Sequence, residues 1–509
     1  MSDKRLAQVL QRARENDPGG TALIFDGKRY SWRWMAEKGK ELSERLVAAG
    51  VAQDMPLGMI PRNRPLFVAS ILEMMITGRS VVMIYAFQSA QAIAGDIEKL
   101  RLAVVIADEQ DWSVEARQSA AMAGTHAIIL NENGSSAVAL VPAAGDAAAA
   151  EHRPPFSRAG IELLTSGTTG APKRIAMDYD LIFRSMVGES IVLDAPAPGV
   201  AIPPGLMIYP FGNISGLYTF LPLAAAGQTT YLLEKFNVAD WRKFVTTYKP
   251  KRVGLPPAGI QMVLDADIPQ SDLASVEALH SGAARLDPHV QKQFEERYGI
   301  PVLLAYGATE FGGPVSNMTL EDIRAYGPAV FGSVGRAWAG ARLRIIDPET
   351  SAELPPGTEG VLEVNTPRMG DQWIRTTDLA VLDQNGFLFH RGRNDGAISR
   401  GGFKILPETV VSALQTHPSV ADAAVVGLPD KRLGQVPAAA VELRPGAPTP
   451  TLEELEQHAR KTLYTTHVPT RFLIVDSLPR TPSLKISTPA VIALFEQAQD
   501  VPASDNIGA

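Results

Sequence analysis

An α/β chain is predicted, with a large N-terminal domain of α/β subdomains plus a small β-rich subdomain, followed by a small α+β C-terminal domain. Three observations predict it. Helical apolar spacing alternates with short β-branched runs as far as about Pro314, and strand-length runs separated by turn dipeptides follow from Arg342 to His390. Beyond Asp395, helix and strand patterns mix again. At about 150 residues per domain, the 509 residues make roughly three domain-sized units.

Taken in order, Leu6 to Arg14 and Trp34 to Gly50 carry helical spacing, and Ala22 to Phe25, Ser80 to Tyr85 and Ala103 to Ala107 read as strands. The most apolar stretch, Leu66 to Phe87, is interrupted by Glu73 and Arg79, which suits a buried helix followed by a strand rather than a bilayer span. Ser136 to Ala150 is mostly Ala with Gly and Pro and reads as a loop or tether. A second α/β set runs from Ile161. Arg342 to Ile346, Gly360 to Val364, Leu379 to Leu382 and Phe387 to His390 are strands punctuated by Asp347-Pro348, Pro356-Gly357 and Asn385-Gly386. A boundary near Asp395 divides 1–394 from 395–509. In the latter, Pro407 to His417 and Leu452 to Leu463 are helical, the second with Glu453, Glu454 and Glu456 in its first turns, and Ala421 to Gly427 and Phe472 to Val475 are strands.

Composition narrows the function classes. Lys and Arg number 48 against 55 Asp and Glu, a net charge of −7, so no global basic field exists to hold nucleic acid or an anionic membrane. With no cysteine there is no disulfide, thiolate metal site or cysteine nucleophile, which suits a cytoplasmic protein. Met1 to Arg14 carries Asp3, Lys4, Arg5, Arg12 and Arg14 and lacks the apolar core of a secretory signal. Gly212-Asn-Ile-Ser-Gly216 misses the Gly-x-Ser-x-Gly spacing of a serine hydrolase, and the eight histidines form no zinc-like pair.

The most informative segment is Leu163-Leu-Thr-Ser-Gly-Thr-Thr-Gly-Ala-Pro-Lys173. Glycines such as Gly167 and Gly170 let successive N–H groups turn toward one anion. The hydroxyls of Thr165, Ser166, Thr168 and Thr169 add donors, and Lys173 neutralises charge, so the loop suits phosphates. It is no Walker A loop, because only Thr168 and Thr169 separate the glycines and Arg174 follows the lysine.

Five further segments follow: Ser281-Gly282-Ala283-Ala284, Tyr306-Gly307-Ala308-Thr309-Glu310, Trp373-Ile-Arg-Thr-Thr-Asp378, Gly392-Arg393-Asn394-Asp395 and Leu478-Pro-Arg-Thr-Pro-Ser-Leu-Lys485. In kind and order, from about residue 20 to 490, the six resemble the signature of the adenylate-forming superfamily of acyl-CoA ligases, non-ribosomal adenylation domains and luciferases. The resemblance implies an ATP, Mg²⁺ and CoA enzyme. Thr165 to Gly170 and Lys173 would hold phosphates. Gly282, Ala283, Ala284 and Gly307 would let adenine approach backbone while Tyr306 offers a flat apolar face. Thr309 would donate to a phosphate and Glu310 would ligate Mg²⁺. Asp378 can accept both ribose hydroxyls and Arg393 adds a directed donor. Taken singly, Glu310 or Asp378 would be an ordinary solvated carboxylate.

Lys485 is implied as the catalytic lysine of adenylation, because two anions must meet there: the attacking carboxylate and the α-phosphate. The resemblance also implies a mobile C-terminal domain that rotates about Asp395 after adenylation. Ser399-Arg-Gly-Gly-Phe-Lys404 would then line the pantetheine tunnel with Gly401, Gly402 and Lys404.

Departures from the family pattern are Leu484 for a usual glycine, Thr377 for the glycine before Asp378, a short Thr366 to Trp373 segment, and Asn213 where many acid ligases carry histidine. Asparagine does not titrate, so pH dependence owed to that histidine should be absent. Neither Gly212 nor Asn213 supplies the aspartate that binds an amino acid's ammonium group. Tyr209, Phe211, Asn213, Ile214, Gly216, Gly307, Phe311, Gly312 and Gly313 instead suit a roomy, apolar acyl cleft for a hydrophobic or aryl carboxylic acid. The alternatives are an enzyme that loads a carrier-protein phosphopantetheine and a catalytically weak nucleotide-binding relative. A homodimer is left open.

Overall fold

A computed structural model describes residues 4–131, 138–142, 151–164, 173–188, 202–393, 396–400, 403–430, 433–481 and 484–498. They fall into two compact units. The first takes the chain up to Pro250 together with Gly307–Gly313, and the second takes Lys251–Tyr306 and the chain from Pro314 onward.

In the first unit, a seven-stranded sheet runs from edge to edge through Val138–Val141, His126–Leu130, Val104–Asp108, Leu57–Ile60, Val81–Met83, Gly160–Leu164 and Arg174–Asp178. Its inner strands are parallel and both edge strands antiparallel. The parallel strands are Val, Ile and Leu runs buried on both faces, as helix-covered sheets require. The alanine-rich stretch expected as a loop is corrected in part: Val138–Val141 pairs with His126–Leu130, and Val138, 1% exposed, is β-branched and buried. The low complexity around these four residues hid them. Residues 143–150 lie outside the described ones.

Pro65–Thr77 is the apolar helix expected, opened by Pro65 at its first turn and closed by Gly78 in the left-handed conformation. Its buried Glu73 is paired with Arg14 at 3.0 Å and accepts from Ser43 Oγ at 3.1 Å, so the charge is compensated inside the helix layer. Among the described residues no helix is long and apolar enough to cross a membrane. A smaller four-stranded sheet orders Gly205–Met207, Thr230–Leu232, Thr21–Phe25 and Lys28–Ser31. Leu23 sits opposite Thr230 in a parallel pairing, and Lys28–Ser31 folds back antiparallel on Thr21–Phe25.

Among the described residues, three sheets lie wholly or mainly in the second unit. The first contains Arg252–Gly254, Ala278–Ser281, Val302–Ala308, Gly313–Asn317 and Arg336–Ala337, with its first three strands parallel. The expected β-rich piece is an antiparallel meander of Arg342–Ile346, Glu359–Asn365, Ile374–Leu382 and Leu388–Arg393. The last sheet pairs Val420–Asp430 and Arg471–Val475 with Gly434–Leu443, and Pro407–Gln415 and Leu452–Arg460 pack over a core of Ile405, Val410, Leu414, Val441 and Leu455. The acidic start of Leu452–Arg460 is a capping box, with Thr451 and Glu454 exchanging side-chain and backbone hydrogen bonds.

Candidate functional site

In the second unit, Gly282 and Tyr306 stand at the carboxyl ends of neighbouring parallel strands, where open α/β sheets receive ligands. A Cβ at Gly282 would lie 3.1 Å from the Ala305 carbonyl oxygen, so a side chain there would press on backbone. Next to it, Ala283 and Ala284 are exposed, and Ala283 adopts φ +68°, a left-handed turn unusual for a residue with a Cβ.

Asp378 lies in strand Ile374–Leu382, and its carboxylate is shared by two side chains. The Tyr306 hydroxyl donates to Oδ2 and His390 Nε2 faces Oδ1 at 3.2 Å. Thr376 Oγ1 accepts from the Asp378 N–H at 3.0 Å. An irregularity in the ladder shifts the register between Leu379 and Ala380, so that Asp378 pairs with Arg393 and Ala380 with His390. A bulge of this kind re-aims side chains beside sites. Thr377, the departure before Asp378, has a role in the structure: its Oγ1 accepts from Arg393 Nη2 at 2.6 Å, which fixes a guanidinium whose charge acts on Asp378. Burial presses the Asp378 carboxyl upward, but the His390 hydrogen bond and charge, the Tyr306 hydrogen bond and the Arg393 charge outweigh it, and the carboxyl titrates below its ordinary value. Its stabilising effect is present above the ordinary carboxylate pKa and fades only as pH falls through the depressed one.

Lys485 stands on a tight turn. Leu484 N–H donates to Thr481 O at 2.8 Å, Thr481 N–H to Lys485 O at 2.7 Å, and Lys485 N–H to Thr481 Oγ1 at 3.2 Å. Arg480 and Ile486 bridge antiparallel, and Arg480 is paired with Asp422. Leu484 has φ +60°, which accounts for the glycine usual at this place in the resembled family. A left-handed residue with a Cβ costs roughly 1–2 kcal/mol. Leu484→Gly is therefore expected to be at least as active as the wild type in acid-dependent pyrophosphate release, and Leu484→Ile, branched at Cβ, to lose rate and thermal stability. A drop with glycine and none with isoleucine would sink this account.

In the first unit, Gly160–Leu164 and Arg174–Asp178 pair with Leu164 opposite Arg174, so the phosphate-loop candidate joins two strands of one ladder. Thr165, Ser166, Gly167, Thr168, Thr169 and Gly170 lie outside the described residues. Lys173 is exposed, and Arg174 anchors the adjoining strand by donating to the Met83 carbonyl at 2.9 Å. Asp395, Gly401, Gly402 and the side chain of Lys404 also lie outside the described residues; the Lys404 backbone is in strand Phe403–Ile405.

The acyl-cleft candidates Tyr209, Phe211, Asn213 and Gly216 enter and open helix Ile214–Ala225. Sequence reasoning missed the residue that holds them, Asn63, which is 3% exposed. Its Nδ2 donates to the carbonyls of Tyr209 and Leu233, each at 3.1 Å, and its Oδ1 accepts from Phe211 N–H at 3.1 Å. A buried polar residue just past an apolar strand was the available signal. Gly216 has no room for a side chain, since a Cβ would stand 2.2 Å from Pro210 O. Phe211 is buried edge-on against Phe220, with ring centroids 5.0 Å apart. Asn63→Leu leaves buried backbone groups unpaired at about 1–3 kcal/mol each. The expected result is a loss of about 3 kcal/mol in denaturant unfolding and a raised KM for the acid; an unchanged midpoint and KM would remove Asn63 from the site.

Thr309, Glu310 and Phe311 form a single turn closed by Gly312 at φ +69°, with Gly313 following at φ +124° and Gly307 exposed just before. Among the described residues no group of three or more His, Asp or Glu side chains is placed to hold a metal. One partly buried carboxylate, Glu310, beside a hydroxyl fits Mg²⁺, which keeps its waters and shares substrate phosphates rather than filling a protein cage. A separate cavity of about 300 Å³ is lined by Thr77, Gly78, Arg158, Asp178 and Asp180 and contains none of the motif residues. Its Arg158 is paired with Asp178 at 2.8 Å, and Asp180 with Arg5 at 3.1 Å.

Comparison with known proteins identifies the family. Residues 10–371 match the AMP-binding enzyme family and residues 410–485 the AMP-binding enzyme C-terminal domain. A 4-coumarate–CoA ligase-like protein of Arabidopsis thaliana is 27% identical over 346 residues, 64% of this chain and 60% of that protein. A long-chain-fatty-acid–CoA ligase of Bacillus subtilis is 28% identical over 340 residues, 63% of this chain and 59% of its own length. The matched stretch thus spans about three fifths of these relatives. The fold is that of ATP-bound MatB from Rhodopseudomonas palustris, with a TM-score of 0.76 at 21% identity over 97% of this chain and 99% of that one.

Proposed function

We propose, from the premise that the chain belongs to the AMP-binding enzyme family of the adenylate-forming superfamily, that it is an acid–CoA ligase acting on a hydrophobic or aryl carboxylic acid. The observation that carries this reading is the Asp378 carboxylate, set among Tyr306, His390 and Arg393 beside the ends of parallel strands. An ionised acceptor next to a flat ring is what an adenosine needs.

In this reading Tyr306 and Gly282 receive adenine, Asp378 accepts from the ribose hydroxyls, and Thr165 to Gly170 with Lys173 cradle the phosphates. Glu310 and Thr309 would hold Mg²⁺, which supplies positive charge across the phosphates when bound. Lys485 draws the acid's carboxylate and the α-phosphate together. A carboxylate oxygen bonds to the α-phosphorus as the bond to pyrophosphate breaks, giving acyl-AMP. The domain from Asp395 onward then turns, Gly401, Gly402 and Lys404 line the thiol's path, and CoA sulfur, its proton lost to solvent, attacks the acyl carbon as AMP leaves. The relatives named for 4-coumarate and long-chain fatty acids support an apolar acid.

The test is pyrophosphate release with MgATP across aryl, phenylalkanoic, medium-chain and polycyclic acids, with and without CoA. Acid-dependent release with acyl-CoA formed on CoA addition is expected. Release that yields thioester only with a phosphopantetheinyl carrier protein would move the acceptor, and ATP binding without release from any acid would overturn the ligase reading.

A further inference from the structure

The sequence names Asp378 and Arg393 for the ribose side, but a third side chain shares that carboxylate. Side chains alternate along a strand, so Asp378 and Ala380 lie on one face, and His390, paired with Ala380, lies on the same face across the ladder. The imidazole reaches diagonally to Asp378, with 16% of the His390 side chain and 18% of the Asp378 side chain exposed. Its ring also lies 5.9 Å from the Tyr306 ring, tilted by 32°.

The proton inventory of this group is constrained. A carboxylate oxygen can only accept, so Nε2 is the nitrogen that carries hydrogen. His390 Nδ1 is buried and has no hydrogen-bond partner among the described residues, so Nε2 is the ring nitrogen engaged in a hydrogen bond. The carboxylate offers about four lone-pair directions. Tyr306 takes one on Oδ2 and His390 one on Oδ1, which leaves one on each oxygen. Two vicinal hydroxyls of a ribose would use those two.

We infer that His390 is a positioning residue for the nucleotide: by donating from Nε2 to Oδ1 it fixes the rotation of the Asp378 carboxylate so that the remaining lone pairs meet the 2′- and 3′-hydroxyls. The inference rests on the nucleotide reading of Asp378 proposed above. The rival role for His390 is simple packing against Tyr306, and a ring without a donor separates the two. His390→Phe keeps an aromatic ring of similar size and removes the hydrogen bond, whereas His390→Gln returns an N–H at nearly the place of Nε2.

The experiment measures KM and kcat in acid-dependent pyrophosphate release with ATP, 2′-deoxy-ATP and 3′-deoxy-ATP for the wild type, H390F, H390Q and Asp378→Ala. The expected result is a roughly tenfold rise in KM for ATP in H390F with kcat within about twofold, as for one hydrogen bond to a charged group. That penalty should shrink to about twofold with either deoxy nucleotide, and H390Q should recover most of the ATP affinity. An equal penalty for all three nucleotides, or H390Q no better than H390F, overturns the positioning role. If the wild type does not discriminate against the deoxy nucleotides and Asp378→Ala matches it, the ribose reading of Asp378 has failed instead. Should H390F not fold, the same cycle with H390Q decides, since a packing role alone predicts loss of ATP affinity in that ringless variant.

Discussion

Lys485→Ala is expected to abolish acyl-adenylate formation, slowing acid-dependent pyrophosphate release by at least about 100-fold, while thioester formation from supplied acyl-AMP and CoA is largely kept. The magnitude is that of removing one preorganised charge aimed at a transition state. Preorganisation is visible in the turn itself. Three hydrogen bonds between Thr481 and the Leu484–Lys485 pair close it, and the Arg480 pair with Asp422 ties its base to strand Val420–Asp430. The lysine stem therefore leaves a backbone held at both sides. Lys485→Arg should restore little, because a planar fork does not replace a compact ammonium placed between two anions. Equal loss in both half-reactions would count against an adenylation-specific role, and an unimpaired first half-reaction would refute it.

Asp378→Ala is expected to raise KM for ATP by about 100-fold with a smaller effect on KM for the acid. The substitution removes the acceptor for two hydroxyls, leaves the Tyr306 hydroxyl and the His390 N–H without their carboxylate, and takes away a negative charge that acts on Arg393. Hydrogen bonds to a charged group contribute about 1.5–3 kcal/mol each, so the loss of two, allowing for non-additivity, reaches that range. Asp378→Asn tests the charge separately. It keeps one acceptor oxygen but turns an NH₂ toward either Tyr306 or His390, and its KM should fall between the two. A KM for ATP within about threefold of wild type in Asp378→Ala would remove the carboxylate from the nucleotide site.

Much of this was legible in the chain. Local periodicity predicts the meander strands, the apolar helix at Pro65–Thr77 and the acidic capped helix at Leu452–Arg460, because each is decided by neighbours in sequence. Motif order likewise points to Tyr306 and Asp378, whose hydrogen bond the structure supplies. What escaped depends on distant pairing. His390 becomes a partner of Asp378 only through the ladder irregularity between Leu379 and Ala380, and Asn63 meets Tyr209 and Phe211 across some 150 residues. Thr377 and Leu484 were visible as departures that bear on the ribose-side turn and on the backbone before the lysine, but not in what they contact. The structure gives the first a hydrogen bond to Arg393 and the second a left-handed backbone.

The pairing of Leu23 with Thr230 bears on how the chain is made. Strand Thr21–Phe25 is synthesised about 200 residues before its parallel neighbour Thr230–Leu232. At about 5–20 residues per second that is roughly 10–40 s. Its antiparallel neighbour Lys28–Ser31 follows after two residues, so a hairpin can form at once, but with one edge bare and Ala22, Leu23 and Ile24 uncovered. By the time Thr230 emerges, every strand of the seven-stranded sheet, ending at Asp178, is already out. The larger sheet can therefore close first and the smaller one last, and nascent chains stopped between residues 178 and 230 would present a sticky, half-built edge to chaperones and to one another.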